Sequence, residues 1–304
     1  RMKMILSKHD YIKIYGHRGA RGVLPENTLE SFKYLFENNI HAYETDILIT
    51  KDFIPVITHD FRLDPSYTKD INDNWIEDEN IKIIDLTYDQ ILQFDVGTLN
   101  KLSKYGRKFI NQKSLQNQKI PKLSELLKLT SDNIVEDLLI NLEIKSTPIE
   151  KNLTPEPDEM VKIIIDEVSR SNLEDRIIYS SFDWRVLREI KERDSKIPRA
   201  YLTSGVKGKI YDKSPWLDFT PLHNGVGLPE LIKALGGSAW HPNYKDVNKE
   251  LVQISHDKGL PVNVWTVNRE SDMLRMIDYG VDGIMTDYPL KLKELCKREN
   301  IKWF

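Results

Sequence analysis

Leu138-Leu139-Ile140-Asn141-Leu142-Glu143-Ile144-Lys145 is an apolar run whose second half alternates with polar side chains. Successive side chains of a strand point to opposite faces, so Asn141, Glu143 and Lys145 share one face and Leu142 and Ile144 the other. The apolar face suits packing against outer helices, which leaves the polar face looking into the mouth of a barrel. Residues 42–49 repeat the pattern, with Glu44 and Asp46 pointing one way and Thr45 and Ile47 the other. Working outward, further strand-like runs fall at 12–15, 176–182, 199–203, 238–241, 261–267 and 283–286, separated by segments of helical period. That alternation is the mark of parallel βαβ units. With 42–49 and 138–145 the runs total eight, the number that closes an α/β (β/α)8 TIM barrel.

Between the first two strands, Asn27 reads as a helix N-cap, with Glu30 completing a capping box and Leu29, Phe32, Leu35 and Phe36 supplying the apolar stripe. Residues 54–58 read as a strand-like continuation of the second strand. Residues 61–120 break the rhythm: acids cluster at Asp73, Glu77, Asp78 and Glu79, and an Asn/Gln/Lys-rich run ends at Pro121. The expectation is one domain over 1–304, with 61–120 a lid or small subdomain inserted after the second strand region.

The 304 residues include 44 Lys and Arg against 47 Asp and Glu, a net charge of −3. Near-cancelling charge without a long basic run argues against a nucleic-acid partner held by a general basic field. No stretch approaches the roughly 18 apolar residues of a membrane-spanning helix. The single Cys296 makes no intramolecular disulfide, and no cysteine cluster exists to hold zinc. The chain opens Arg1-Met2-Lys3 without an apolar leader core. Because it does not open with Met, cytoplasmic and exported locations with the leader removed both stay open, as does the oligomeric state.

The chemistry concentrates at strand ends, where barrel enzymes work. Glu44, Asp46 and Glu143 converging there would repel one another unless protons or a cation neutralised them. Oxygen ligands without cysteine or a histidine pair favour one hard divalent cation, Mg2+ or Ca2+, over zinc. The competing reading of either acid on the run 42–49 is an ordinary ion pair inside the barrel. His17, after the first strand, and His59, after 54–58, are a pair of imidazoles able to divide acid and base duties near neutral pH. Arg18 and Lys145 supply positive charge suited to a phosphoryl group, or simply pair with the acids. Asp287 reads as a cap of the last helix.

Seven segments in order resemble the glycerophosphodiester phosphodiesterase family: His17-Arg18-Gly19-Ala20, Pro25-Glu26-Asn27-Thr28, Glu44-Thr45-Asp46, His59-Asp60, Leu142-Glu143-Ile144-Lys145, Trp265-Thr266-Val267-Asn268 and residues 280–289, Gly-Val-Asp-Gly-Ile-Met-Thr-Asp-Tyr-Pro. The resemblance implies the barrel with its insertion and a divalent cation on Glu44, Asp46 and Glu143. It also implies His17 and His59 as the acid/base pair, with phosphate contacts from Arg18 and Lys145. Trp265 would line the glycerol end of the substrate pocket, supported by Asn268. His241, at another strand end, counts as a pocket-wall residue at most. The implied reaction hydrolyses a small-molecule glycerophosphodiester to sn-glycerol 3-phosphate and an alcohol. Two alternatives accompany it: lysophospholipase D-type action on lysophospholipids, and a barrel without activity that serves in binding.

Overall fold

The computed structural model describes residues 6–8, 10–205 and 208–304, so the opening Arg1-Met2-Lys3 lies outside the described residues. Its strands are β1 (Tyr11–His17), β2 (Ala42–Ile49), β3 (Pro55–Ile57), β4 (Leu139–Ile144), β5 (Ile177–Ser181), β6 (Arg199–Thr203), β7 (Ala239–Pro242), β8 (Asn263–Val264), β9 (Gly283–Thr286) and β10 (Lys302–Trp303). Eight of them run parallel in the order β7-β6-β5-β4-β2-β1-β9-β8. The ring closes between β7 and β8 through the parallel bridges Trp240–Val262 and Asn243–Trp265. This is the (β/α)8 barrel that the alternation of strand and helix predicts.

The outer helices form for local reasons. Helix Trp184–Arg193 is capped by the Asp183 side chain and buries Trp184, Val186, Leu187 and Ile190 along one stripe. Helices Pro157–Ser169 and Pro289–Arg298 start with proline in the first turn, where its missing N–H and fixed φ cost nothing. The core they cover is continuous from β1 to Cys296, and it also takes in Leu63, Tyr67, Ile83, Val96 and Phe109 from residues 61–120.

Three local expectations are corrected. The helix Leu29–Glu37 is capped by Thr28, whose side chain accepts from Ser31 N–H. Asn27, expected in that role, sits in the left-handed region at φ 54° and turns its amide inward, because Thr28 is as good a cap and lies one residue closer to the helix. Residues 54–58 do not continue β2: β3 folds back antiparallel on its upper end, pairing Ile47 with Ile57 and Ile49 with Pro55. The turn at Phe53 (φ 63°) reverses the chain and drops His59 over the barrel mouth. Finally, of 261–267 only Asn263–Val264 is continuous strand, with single bridges at Val262 and Trp265.

The floor of the barrel is made by Tyr15, Ala42, Leu139, Met285, Ile178, Ala200 and Ala239, with Leu6 packed against them from below. Lys13 is fully buried there. Its ammonium donates to the Asp137 carbonyl at 2.5 Å and lies 4.2 Å from the Phe304 ring centroid. Burial pushes its pKa down to about 7 against the opposing pull of Asp137. The unfolded chain, with lysine at about 10.4, therefore binds more protons between these values. Stability contributed by this site rises with pH across that window. Lys13→Met should flatten the rise: melting temperatures of wild type and variant measured from pH 7 to 10 should diverge at the low end and converge at the high end, and parallel curves would refute this account.

Candidate active site at the barrel mouth

Register brings the acids together. The β2–β4 ladder pairs Glu44 with Asn141 and Asp46 with Glu143. The β1–β2 ladder sets His17 beside Glu44. One ligand atom from each of Glu44, Asp46 and Glu143 falls within 4.8 Å of the others. All three side chains are buried. Glu44 Oε1 and Asp46 Oδ1 have no hydrogen-bond partner, and a buried carboxylate oxygen left so is costly unless something charged faces it. Burial first, then the neighbouring carboxylates, raises Glu44 well above its ordinary value and pushes Asp46 up to about 7. Glu143 goes the other way: burial would raise it, but the Lys145 ammonium, with His59 and its hydrogen bonds, overrules that and holds it below the usual carboxylate range.

The cations ring this cluster. Lys145 Nζ donates to Glu143 at 3.0 Å and lies 3.3 Å from His59 Nε2. Arg18 is buried in the left-handed conformation (φ 52°), a backbone state that a side chain of its size adopts at a cost and that clusters at functional sites. Its N–H bonds the Glu44 carbonyl at 3.0 Å, its guanidinium donates to Glu26 at 2.9 Å, and its Nε stands 3.6 Å from Asp46. The turn is closed by Asn27 N–H on the Arg18 carbonyl at 2.9 Å. Gly19, at φ 82°, is required in it because a Cβ would lie 2.4 Å from Ser31 Oγ. Asn27 then donates its amide to Asp46 at 3.0 Å and accepts from Thr45 at 2.8 Å.

Each histidine is backed by an aspartate. His17 Nδ1 bonds Asp287 at 2.7 Å, leaving Nε2 3.6 Å from Glu44. Asp287 does not cap the last helix; Tyr288 occupies the N-cap position there. Instead Asp287 receives two bonds from Arg21, at 2.7 and 2.9 Å, and one from Asn268 at 2.8 Å. Burial would raise its pKa, but Arg21 and His17 hold it far below the usual range. An ionised Asp287 only accepts, so His17 carries its proton on Nδ1 and turns a bare Nε2 to the site. Burial lowers His17 to about 4 despite Asp287. His59 Nδ1 bonds Asp60 at 2.8 Å, and Asp60 accepts from Tyr67 at 2.6 Å. Burial, then Arg18 and Lys145, pull His59 well below its ordinary value. Burial thus disfavours the charged form of both imidazoles.

His17, Arg18, Glu44, His59, Glu143 and Trp265 line one cavity of about 190 Å3, together with Arg21, Asn141, Ser180, Phe182 and others. Lys145 reaches it through Glu143 and His59. Asn268 and His241 are not among the lining residues. Asn268 sits behind Asp287, while His241 is fully buried below, bonded to Asn263 at 3.0 Å and held at a pKa of about 3 by burial. Residues 61–120 contribute Tyr67 and also Tyr105, whose hydroxyl bonds Glu26 and receives Arg21 at 3.2 Å. Sequence reasoning passed over Asp287, Arg21, Asn27, Tyr67 and Tyr105 as parts of the site. Asp287 alone left a signal, a carboxylate immediately after a barrel strand, which the helix-cap reading obscured.

The model of the Glycerophosphoryl diester phosphodiesterase family matches residues 17–291. The chain belongs to that family. A glycerophosphodiester phosphodiesterase of Caldanaerobacter subterraneus subsp. tengcongensis is 30% identical over 285 residues, covering 94% of this chain and 98% of that one. A crystal structure from Silicibacter pomeroyi assigned as a glycerophosphoryl diester phosphodiesterase is 35% identical, covers 98% of each chain and superposes with a TM-score of 0.90. An Oleispira antarctica phosphodiesterase, solved with its product sn-glycerol-3-phosphate, shares the fold at 24% identity and a TM-score of 0.70 over 94% of this chain and 97% of its own. As a family member the chain is a phosphodiesterase. Among the described residues no helix is long and apolar enough to cross a membrane.

The aspartate behind His17 has a measurable consequence. Asp287→Asn keeps the shape but allows the amide to donate, so the imidazole loses its fixed tautomer and Arg21 loses its counter-charge. We expect kcat to fall by about 100-fold or more with KM changed far less; a kcat within threefold of wild type on a folded variant would remove Asp287 from the mechanism.

Proposed function

We propose that this phosphodiesterase hydrolyses glycerophosphodiesters to sn-glycerol 3-phosphate and an alcohol at the mouth of the barrel, by acid–base catalysis between His17 and His59. The observation that carries the reading is the pair of imidazoles, each backed by an aspartate, beside a buried carboxylate cluster. Glu44, Asp46 and Glu143 fit one hard divalent cation, Mg2+ or Ca2+: they offer only oxygen, two of their buried oxygens lack partners, and among the described residues they and the nearby Glu26, Asp60 and Asp287 pair with Arg18, Arg21, Lys145 and the two histidines. Bound there, such a cation would supply the Lewis-acid charge that draws electron density from a phosphoryl oxygen.

The chain's own groups supply the rest. Arg18 and Lys145 offer two fixed positive charges to the phosphoryl oxygens, preorganised by Glu26 and Glu143 so that little reorganisation accompanies the reaction. One histidine Nε2 takes a proton from the attacking oxygen, and the other, neutral in the free site, takes up a proton at Nε2 beside the anionic phosphodiester and returns it to the leaving alkoxide. The attacking oxygen belongs to water or to the glycerol 2-hydroxyl, and both routes place the same demand on the two imidazoles. Trp265 forms an apolar wall suited to the glycerol carbons. Residues 61–120, within a single barrel domain, act in this reading as a brace: Tyr67 holds Asp60 and Tyr105 holds Glu26, and through them His59 and Arg18.

The test is release of glycerol 3-phosphate from glycerophosphoglycerol and glycerophosphocholine by metal-stripped protein, with Mg2+, Ca2+ and Mn2+ added back separately. Activity should return with a divalent cation and stay absent in Glu143→Ala. His17→Ala and His59→Ala should each lose about 100- to 10,000-fold while still binding the cation in calorimetry. Full activity after stripping, or a near-normal rate in either histidine variant, would overturn the reading; turnover of lysophosphatidylcholine exceeding that of both diesters would move the substrate to the lipid class. Asn27→Ala, which removes the donor on Asp46, should weaken cation binding by about 10- to 100-fold, and an unchanged titration would show that this amide does not orient the ligand.

A further inference from the structure

The cavity does not end at Trp265. The Phe182 ring stands edge-on to the Trp265 indole, centroids 5.5 Å apart at 88°, and Phe182 is itself a lining residue. Over the Phe182 ring lies the Lys209 ammonium, 4.3 Å from its centroid and 3.9 Å from that of Trp216, although neither Lys209 nor Trp216 is itself a lining residue of the cavity. Both Lys209 and Trp216 come from the connection after β6. Trp216 is held in a short 3₁₀ turn, Pro215–Leu217, whose Trp216 N–H is capped by the Ser214 side chain and whose Leu217 is buried. Two aromatic faces within about 6 Å of one ammonium make a cation box, and here the chain seats its own cation in it.

The size of the cavity gives the box a role. About 190 Å3 is below the roughly 300 Å3 at which small-molecule sites usually begin, so it suits a glycerol phosphate half and leaves the alcohol half of a diester at the mouth, beside Phe182. An alcohol carrying a quaternary or primary ammonium would seek those same aromatic faces and meet Lys209 there. We infer that Phe182 and Trp216 form the leaving-alcohol subsite and that Lys209 is a specificity-determining residue, which turns the enzyme away from cationic alcohols such as choline and toward neutral or anionic ones such as glycerol. A fixed like charge in the subsite acts against the wrong substrate rather than for the right one. This inference rests on the diesterase reading above.

The experiment compares kcat/KM for glycerophosphoglycerol and glycerophosphocholine in wild type, Lys209→Met, Lys209→Arg and the double variant Lys209→Met/Trp216→Leu. Wild type should favour glycerophosphoglycerol. Lys209→Met should shift the ratio toward glycerophosphocholine by about tenfold, the scale of one added cation–π interaction together with relief of one like-charge repulsion. Lys209→Arg should keep the wild-type ratio, and the double variant should lose the shift. A ratio unchanged within twofold in Lys209→Met, or a wild type that already prefers glycerophosphocholine, would overturn the inference. Choline chloride, titrated against tryptophan fluorescence, tests the box without turnover. Saturable quenching at least tenfold tighter in Lys209→Met than in wild type and the double variant supports it; equal titrations refute it. Failure of wild type to cleave either diester would instead count against the diesterase reading, with the choline titration still deciding the box.

Discussion

Three carboxylates buried side by side at the barrel mouth are the constraint around which the rest of this site is arranged. Glu44 and Asp46 are two residues apart on one strand, and the ladder lays Glu143 directly beside Asp46. No rotation of side chains relieves that proximity, because the parallel hydrogen bonds on both sides fix the backbone. The repulsion must be met by protons, by a cation or by nearby ammonium and guanidinium groups. Lys145 and Arg18 meet part of it, and the directions in which the three acids shift record the division. Glu143, touched by Lys145, is held ionised, whereas Glu44 and Asp46 are driven toward protonation. A cluster of this kind could hold a metal ion.

The two histidines show the same economy of means with opposite sign. An imidazole buried beside Arg18, Arg21 and Lys145 would gain little by carrying a proton, and the pKa of each is lowered, by burial above all. Each is nevertheless bonded to a carboxylate through Nδ1, which turns Nε2 inward, toward Glu44 for His17 and toward Lys145 for His59. Asp287 itself stays ionised because Arg21 grips it with two bonds. Asp60 accepts from Tyr67 instead. The pair is thus chemically alike but not electrostatically equivalent.

Much of this was legible in the residues, and the boundary of legibility is physical. Period-two alternation placed Asn141, Glu143 and Lys145 on one face and Glu44 and Asp46 on another, and strands bring such faces together wherever a barrel closes. The runs 42–49, 199–203 and 283–286 coincide with the strands observed. What escaped depends on tertiary choice between near-equal local options. Asn27 and Thr28 both make good helix caps, and the helix took the second, freeing the first for Asp46. Asp287 follows a strand and precedes a proline-started helix, and a cap reading and a site reading are equally consistent with that local sequence. The reversal at Phe53 turns on a left-handed φ that aromatic residues seldom adopt. Tyr67 and Tyr105 sit in a stretch without periodicity, where only packing decides which hydroxyl reaches inward.

The division of labour between strands and loops follows from these same facts. Groups that must not move, the clustered acids, stand on β2 and β4, where the hydrogen-bond ladder carries the cost of holding like charges together. Groups whose exact aim matters, Arg18 and the two histidines, lie at or just past strand ends, where the ladder gives out. Arg18 even occupies a strained φ. Their positions are therefore set by side-chain bonds from elsewhere: Glu26 with Tyr105, Asp60 with Tyr67, Asp287 with Arg21 and Asn268. Two of those three supports come from residues 61–120. A barrel stripped of that stretch would keep its clustered acids and lose two of the bonds that orient His59 and Arg18, so the irregular segment shapes the mouth as much as the strands do.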